Sequence, residues 1–421
     1  MLPHVISLYR LILWISAPLI FAYTCYRTLK DGGPDYLRQR LGFNFPELKR
    51  AIWLHCASVG EVVAARPLME LIIEDCAAVP LVVTTNTPTG REILCKTLGD
   101  KVHHVFLPLD YALAVNRFLK HIDPRCALIF ETELWPNLFQ CCHRRGIPLV
   151  IVNGRLTERT LNAPLALRRL YGQGLGQTLA ILARSPADRQ RYISLGAAPQ
   201  RVTTLGNIKF AKPRNIVDQA SPKPLERSYW LAASTHDDEE LRIAKTWKSI
   251  ADDQTLLVIA PRHPDRREAI LRQLRTLKLR IAVRSRGEAV EAQTQVYLAD
   301  TLGEMAAFMS HARFVFLGGS LIQRGGQNIL EPARFGKAII VGPHMGNFEE
   351  ETRILLSNNG LIMVHDDEEL RHSIVDLLND AQRCKVLGEN AKNVIRQYAD
   401  IDRSYFEQIQ ALGVFTDRTT G

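Results

Sequence analysis

The sequence lacks the spacings that indicate several common chemistries. Its eight cysteines include no CxxC pair and its twelve histidines do not fall at HxxxH or HExxH spacing, so we predict no metal site and no cofactor. The sequence contains no GxSxG motif, which would indicate a Ser-His-Asp hydrolase, and no GxGxxG or Walker glycine pattern. Several cysteines lie inside apolar segments, which predicts buried, reduced thiols in a cytosolic compartment.

The composition is that of a folded protein with a basic surface. At 421 residues the chain is long enough for two domains, and it contains no low-complexity tract. Lys and Arg outnumber Asp and Glu by 53 to 44, a formal net charge of +9. This charge suits an anionic partner such as a phosphate, an acidic sugar, a nucleic acid or an anionic lipid.

The first thirty residues are more apolar than the rest of the chain. The sixteen residues between Arg10 and Arg27 carry no charge, and no small-residue cleavage site follows them. We therefore predict that residues 1–30 are a retained membrane anchor that spans the bilayer or lies in its interface. An ordinary buried helix is the alternative. Basic residues that would face the cytoplasm follow this segment: Arg27, Lys30, Arg38 and Arg40.

The rest of the chain alternates short β-rich segments with longer helical ones, which is typical of parallel α/β sheets. The rhythm is interrupted once, by the proline-rich stretch "KPRNIVDQASPKPLERS". We predict two Rossmann-like doubly wound domains, at residues 31–210 and 229–421, joined by a linker at residues 211–228. In such sheets ligands bind at the carboxyl ends of the strands.

In the second half, polar and glycine-rich segments follow the predicted strands. "GGSLIQRGGQNILEP" should let the backbone approach a phosphate and should begin a helix near Asn328, with Glu331 one turn later to accept ribose hydroxyls. An ordinary glycine turn is the alternative. Arg262 directly follows a strand, where it could bind a phosphate or carboxylate. "DTLGEM" offers a weaker nucleobase or ribose contact at residues 302–304.

In the first half, carboxylates follow the strands. "HCASVGE" places Ser58 and Glu61 at capping-box spacing, where the positive end of the helix should hold Glu61 ionised. Glu131 and Glu133 lie two residues apart in "ETELWPN", so only one should face the ligand if the strand continues. Lys209, in "GNIKF", could neutralise a developing phosphate charge or could be an ordinary solvated lysine.

The order of these motifs resembles the 3-deoxy-D-manno-octulosonic acid (Kdo) transferases. The resemblance runs from the apolar N-terminus to roughly residue 400, and it rests on "ASVGE", "TTNTPTGRE", "ETELWPNL", "LGNIKF", "ASTHDDEE", "PRHPDR", "GGSLIQRGGQNILEP" and "VGPHMGNF" together. It implies an inverting, membrane-associated GT-B glycosyltransferase. Such an enzyme moves Kdo from CMP-Kdo to the lipid A precursor, lipid IVA, at the cytoplasmic face of the cell inner membrane, with no nucleic acid partner.

The resemblance also implies roles for individual residues. It assigns the general base to Glu61 and stabilisation of the transition state to Glu131 and Lys209. The residues that it assigns to CMP-Kdo binding are Pro261, Arg262, Leu302, Gly303, Glu304, Asn328, Ile329, Leu330 and Glu331.

The chain departs from the common family pattern at three places. Gln327 stands where a histidine is usual, "STHDDEE" stands for "STHEGEE", and residues 39–42 read "QRLG" rather than "ERxG". The change at Gln327 bears on the donor contacts, whereas the acidic and basic residues assigned to catalysis are all present.

Two other functions suit the same sequence features. One is another nucleotide-sugar enzyme of the same architecture, such as a UDP-sugar transferase or an epimerase. The other is a non-catalytic protein that binds lipopolysaccharide precursors.

Overall fold

The computed structural model describes residues 3–211, 222–250 and 254–416 of the chain. It contains two compact units, the first comprising Met1–Asn215 and Tyr398–Gly421 and the second Ile216–Gln397. Most of the predicted linker, residues 212–221, lies outside the described residues.

Unit 1 contains a seven-stranded parallel sheet with strand order β3-β2-β1-β4-β5-β6-β7. The order reverses between β1 and β4, which makes this point the topological switch where ligands bind in open α/β sheets. The strands are β1 (Ala51–His55), β2 (Leu81–Thr85), β3 (His103–Phe106), β4 (Pro124–Phe130), β5 (Leu149–Gly154), β6 (Ala180–Ala183) and β7 (Val202–Thr204).

Unit 1 contains ten α-helices that precede unit 2 in the chain, and several of them begin at a residue whose side chain caps the helix. The side chains of Ser58, Thr87 and Ser185 each accept a hydrogen bond from a backbone amide three residues later. The helices are α1 (Pro3–Ile15), α2 (Ala17–Arg27), α3 (Gly33–Arg40), α4 (Val59–Asp75), α5 (Pro88–Leu98), α6 (Ala112–Ile122), α7 (Pro136–Arg144), α8 (Glu158–Leu161), α9 (Leu165–Gly176) and α10 (Pro186–Ser194).

The predicted anchor forms two helices that meet at a bend. Among the described residues, no single helix is long and apolar enough to cross a membrane. Val5–Ile15 and Ala17–Arg40, which meet at a bend of 56°, are together long and apolar enough, by length and composition only. Helix α1 is fixed to the rest of unit 1 by polar contacts: the hydroxyl of Tyr9 donates to Asp110 Oδ2 at 2.9 Å.

Unit 2 contains a second seven-stranded parallel sheet, with strand order β10-β11-β9-β8-β12-β13-β14. Its switch point lies between β8 and β12. The strands are β8 (Tyr229–Thr235), β9 (Leu256–Pro261), β10 (Ile281–Val283), β11 (Val296–Leu298), β12 (Phe314–Leu317), β13 (Ala338–Val341) and β14 (Ile362–Met363). The helices are α11 (Glu239–Ile250), α12 (Arg267–Arg275), α13 (Met305–His311), α14 (Leu330–Arg334), α15 (Glu349–Ser357), α16 (Asp367–Asn379) and α17 (Ala381–Gln397).

The end of the chain returns to unit 1, whereas we predicted that the second domain extends to residue 421. Helix α18 (Ile401–Ala411) buries Tyr405, Phe406 and Ile409 in a hydrophobic cluster with residues of β1 and β4. The Tyr405 hydroxyl also donates to the carbonyl oxygen of Gly206 at 2.8 Å. The predicted boundary at residue 421 is therefore wrong, because the apolar face of α18 completes the core of unit 1.

Candidate active site

The carboxyl ends of β1 and β4 bring the acidic motifs of the first half together at the switch point of unit 1. β1 leads through residues 56–58 into α4, which carries Glu61 in its first turn, and β4 ends at Phe130, directly before Glu131. β1 and β4 are hydrogen-bonded neighbours. The two carboxylates therefore follow adjacent strands at one edge of the sheet.

Glu61 forms a cap whose hydrogen bonds differ partly from a capping box. Its backbone amide donates to Ser58 Oγ at 3.4 Å, as the spacing predicts. Its carboxylate does not accept from the Ser58 amide but from the Ala57 amide, at 2.8 Å to Oε2, and from the Ser58 hydroxyl, at 3.1 Å to Oε1. Both carboxylate oxygens are thus fixed in position by the segment that links β1 to α4.

The environment of Glu61 makes it a much weaker acid than an exposed glutamate. Burial, the nearby charge of Glu131 and, to a lesser extent, that of Glu133 raise its pKa from 4.5 to about 8, against the lowering effect of the hydrogen bonds from Ala57 and Ser58. The expectation that the helix end holds Glu61 ionised is therefore wrong, because desolvation and the nearby carboxylates outweigh the hydrogen bonds that favour its charged form. A pKa near the working pH suits a general base.

Glu131 adopts a backbone conformation that ends the strand and turns the chain. Its φ of 57° lies in the left-handed region, which is uncommon for a residue other than glycine and is found at functional sites. Its Oε1 atom lies 3.5 Å from Lys209 Nζ, and both side chains are largely shielded from solvent. The predicted catalytic pair is therefore in contact within unit 1.

The position of Lys209 is set by asparagines at the ends of two strands. Lys209 lies in a short 3-10 helix, Ile208–Phe210, whose backbone amides at positions 208 and 209 donate to Asn153 Oδ1 and Asn207 Oδ1, each at 3.1 Å. Asn153 belongs to β5, next to β4 in the sheet. Lys209 is thus held by backbone contacts close to the end of β4, rather than being a solvated linker residue.

Glu133 also faces this site, contrary to the expectation that only one of the two glutamates would do so. The strand alternation ends at Phe130, and the turn at Glu131 changes the direction of the side chains that follow. Glu133 Oε2 accepts from Trp135 Nε1 at 2.6 Å and lies 3.8 Å from Nε2 of the buried His55. Burial raises the pKa of Glu133, but His55, Trp135 and a hydrogen bond from Asn86 outweigh burial and lower it overall.

The raised pKa of Glu61 predicts a distinctive dependence of stability on pH. Between about pH 4.5 and about pH 8 the folded protein retains a proton on Glu61 that the unfolded chain has released, so the stability contributed by this group falls as pH rises through that interval. Replacement by glutamine removes this loss. We compare the melting temperature of Glu61→Gln with that of the wild type by scanning calorimetry. We expect the difference to shift in favour of the variant as the pH is raised from 5 to 9. An identical difference at both pH values would contradict the raised pKa.

In unit 2, the residues predicted to bind the nucleotide follow neighbouring strands. Pro261 ends β9, and the Arg262 amide donates to the carbonyl oxygen of Thr235, which ends β8, at 2.9 Å. Residues 302–304 follow β11, which is next to β9 in the sheet. Since all these strands are parallel, the segments lie at one edge, as the predicted site requires.

The predicted donor residues differ in what they can offer a ligand. The Leu302 side chain is 82% exposed, and Gly303 turns the chain with a φ of 88°. The Glu304 carboxylate accepts from Arg284 at 2.6 and 3.2 Å, and this pairing lowers its pKa. Glu331 is shielded from solvent, which raises its pKa.

The segment at residues 328–331 contributes mainly backbone. The side chains of Ile329 and Leu330 are buried, so a ligand would meet their main-chain atoms. The helix begins at Leu330 and spans five residues, and Asn328 Oδ1 accepts from the Leu330 amide at 3.2 Å. The helix thus begins two residues after Asn328, close to the start that we predicted.

The glycine-rich loop after β12 is already occupied by a carboxylate. Glu239, which is fully buried, accepts from the amides of Gly319 (2.7 Å), Ser320 (3.1 Å) and Leu321 (3.1 Å), and from that of His236 (3.0 Å). The prediction that the amides of the glycine-rich segment bind a phosphate is therefore wrong for Gly319, Ser320 and Leu321, whose amides donate to Glu239 instead. A side chain of unit 2 fills the concave backbone that an anion would otherwise occupy.

We expect the loop to depend on the charge of Glu239. Glu239→Gln replaces one accepting oxygen with an amide group that faces backbone N–H donors, so it should destabilise unit 2 by about 2 kcal/mol or more and weaken nucleotide binding. Denaturant unfolding and CMP titration would measure the two effects. The control is Glu389→Gln on exposed α17, since surface ion pairs contribute little. Unchanged stability and CMP affinity in Glu239→Gln would show that the loop does not need the carboxylate.

Several residues of these two sites were not singled out from the sequence. His55 closes the apolar segment before "SVGE", and nothing in its spacing shows that it lies beside Glu133. Glu239 lies in the quoted motif "THDDEE", but the sequence shows only that it follows a strand. His236 contacts Gln327 at 3.0 Å between their Nε2 atoms, a pairing across the switch point that depends on the fold.

Comparison with known proteins identifies related sequences over nearly the whole chain. The family model described as 3-Deoxy-D-manno-octulosonic-acid transferase (kdotransferase) matches residues 35–212. The 3-deoxy-D-manno-octulosonic acid transferase of Haemophilus influenzae is 33% identical over 407 residues, which cover 92% of this chain and 94% of that protein.

Solved structures of similar fold have low sequence identity. A glycosyltransferase from Rickettsia africae matches with a TM-score of 0.60 at 12% identity, covering 88% of this chain and 100% of its own. The UDP-GlcNAc 2-epimerase of Neisseria meningitidis matches with a TM-score of 0.58 at 13% identity, covering 86% and 100%. At these identities the likeness concerns the fold alone, and it confirms the predicted GT-B fold class of two doubly wound domains.

Proposed function

Because the chain belongs to the 3-deoxy-D-manno-octulosonic acid (Kdo) transferases, and is thus a glycosyltransferase, we propose that it moves Kdo from CMP-Kdo to the lipid A precursor, lipid IVA, with inversion at the anomeric carbon. The observation that carries this proposal is the group at the switch point of unit 1: Glu61 with a pKa near 8, beside a Glu131–Lys209 ion pair.

Glu61 is the proposed general base. An acceptor hydroxyl becomes nucleophilic as its proton passes to a carboxylate, and direct displacement by that oxygen inverts the sugar carbon. The raised pKa makes Glu61 a stronger base than an ordinary glutamate, while the bonds from Ala57 and Ser58 fix its orientation. Glu131 keeps the site negative and the pKa of Glu61 high.

Positive groups are proposed to stabilise the charge that develops on the leaving phosphate. Departure of CMP leaves positive charge on the sugar and negative charge on the phosphate, so a fixed ammonium or guanidinium lowers the barrier. Lys209 in unit 1 and the exposed Arg262 in unit 2 are the candidates. Binding of the nucleotide is assigned to the edge of the unit 2 sheet that carries residues 261–262, 302–304 and 328–331.

We also propose that the protein works at the cytoplasmic face of the cell inner membrane, in lipopolysaccharide assembly. Helices α1 and α2 expose large apolar side chains, including Trp14 (67%), Ile15 (70%) and Leu19 (78%). Exposed apolar patches of this kind mark contact with a membrane or a partner. Basic residues of the following segment would favour an anionic leaflet.

One incubation tests the function. The protein is mixed with lipid IVA and with CMP-Kdo generated in place, and both CMP release and the mass gain of the lipid are measured. We expect both, in equal amounts. Absence of both would overturn the proposal, and tighter binding of UDP than of CMP would favour another nucleotide-sugar enzyme.

A further inference from the structure

An apolar cavity of about 510 Å³ lies within unit 1, between helices α1 and α2, the end of α3 and the segment that leads into α6. We call this cavity the N-terminal pocket. Its volume falls in the range of about 300–1,000 Å³ that is typical of small-molecule sites. Its apolar lining includes Leu13, Trp14, Ala17, Phe21, Leu109 and Ala114.

Two arginines are the charged residues of this lining. Arg10 donates to Asn137 Oδ1 and Gln140 Oε1, each at 2.7 Å, and Arg40 donates to Asn86 Oδ1 at 3.1 Å and to the Leu107 carbonyl oxygen at 2.6 Å. These hydrogen bonds go to neutral oxygens, and the carboxylates of Asp110 and Glu133 also attract Arg10 and Arg40 electrostatically. In the described part of the chain, the buried Nε atom of Arg40 has no hydrogen-bond partner.

A chain of hydrogen bonds connects the N-terminal pocket to Glu133, which acts on Glu61 electrostatically. Arg40 contacts Asn86, and Asn86 in turn hydrogen-bonds to Glu133. Glu133 contributes to the raised pKa of Glu61. A molecule in the pocket therefore lies on the same side of unit 1 as the proposed base.

We propose that the N-terminal pocket binds one acyl chain of a phosphorylated, acylated sugar acceptor, with Arg10 and Arg40 facing its anionic head. The apolar lining matches a hydrocarbon chain, the two arginines match a phosphate, and the link to Glu133 places the sugar near Glu61. This inference rests on the proposed function and adds to it a role for helices α1 and α2 in holding the substrate. A bulk membrane phospholipid also has acyl chains and a phosphate, but it has no sugar hydroxyl for the base to act on.

The test fills the pocket and compares acceptors with and without acyl chains. Ala17→Phe adds a ring to the lining, whereas Ala22→Phe makes the same change at an exposed position of α2 that does not line the pocket. In detergent without phospholipid, we expect Ala17→Phe to raise KM for the acylated acceptor about tenfold or more and to leave KM for the deacylated sugar unchanged. Ala22→Phe should match the wild type with both acceptors. A wild-type KM in Ala17→Phe would overturn the proposal, and failure of the wild type to transfer Kdo at all would instead refute the proposed function.

A binding measurement separates the two lipid sources without requiring turnover. Trp14 lines the pocket, so a brominated acyl chain bound there should quench its fluorescence, and Trp14→Phe should abolish that part of the quenching. We expect brominated acceptor to quench at concentrations at least about tenfold lower than brominated phosphatidylcholine. Equal quenching by both lipids would assign the pocket to bulk lipid and overturn the proposal.

Discussion

Glu61→Gln is expected to fold normally and to lose at least about 99% of turnover, because general base catalysis contributes about 10²- to 10⁴-fold. Glutamine retains one oxygen that can accept from the Ala57 amide, and its NH2 group can donate to the Ser58 hydroxyl, so the cap that begins α4 should survive. It cannot accept the proton of the acceptor hydroxyl. The measurement is kcat for Kdo transfer with saturating donor and acceptor, together with the melting temperature.

The matched control for this variant is Glu74→Gln, which makes the same change at an exposed position near the end of α4. It should retain wild-type kcat. In the wild type, kcat should also rise with pH up to about pH 8, as Glu61 loses its proton. If Glu61→Gln keeps wild-type turnover, Glu61 is only a helix cap and another group is the base.

The positions of the strands could be predicted because each is a short apolar segment bounded by turn residues. The short β-rich segments that alternate with helical ones in the sequence form the strands of two seven-stranded sheets. The residues that follow each strand could then be assigned to the ligand-binding edge, since parallel strands share a direction. This reasoning, with the family resemblance, identified Glu61, Glu131 and Lys209, and the structure brings Glu131 and Lys209 into contact.

What could not be predicted depends on packing between distant segments. The pattern of α18 shows that it has an apolar face, but not that this face packs on the first sheet rather than the second. The pKa of Glu61 depends on burial and on two carboxylates about seventy residues away in sequence. The role of Glu239 requires four backbone amides from two loops to converge on one buried side chain.

Lys209→Met should lower kcat about 10²- to 10³-fold, which is the usual effect of removing one group that stabilises transition-state charge. Methionine keeps much of the side-chain length, and the 3-10 helix is held by backbone bonds to Asn153 and Asn207, so the fold should be retained. The control is Lys120→Met at an exposed position of α6, which should match the wild type. Steady-state kinetics and melting temperatures measure both variants.

Loss of Lys209 should act partly through Glu131. Without the ammonium group at 3.5 Å, the Glu131 carboxylate is buried and unbalanced, so part of the loss in Lys209→Met comes from this leftover charge. Adding Glu131→Gln to Lys209→Met should then cost much less than Glu131→Gln costs alone. Fully additive losses in the double variant would mean that the two residues act independently, and the ion pair would have no part in catalysis.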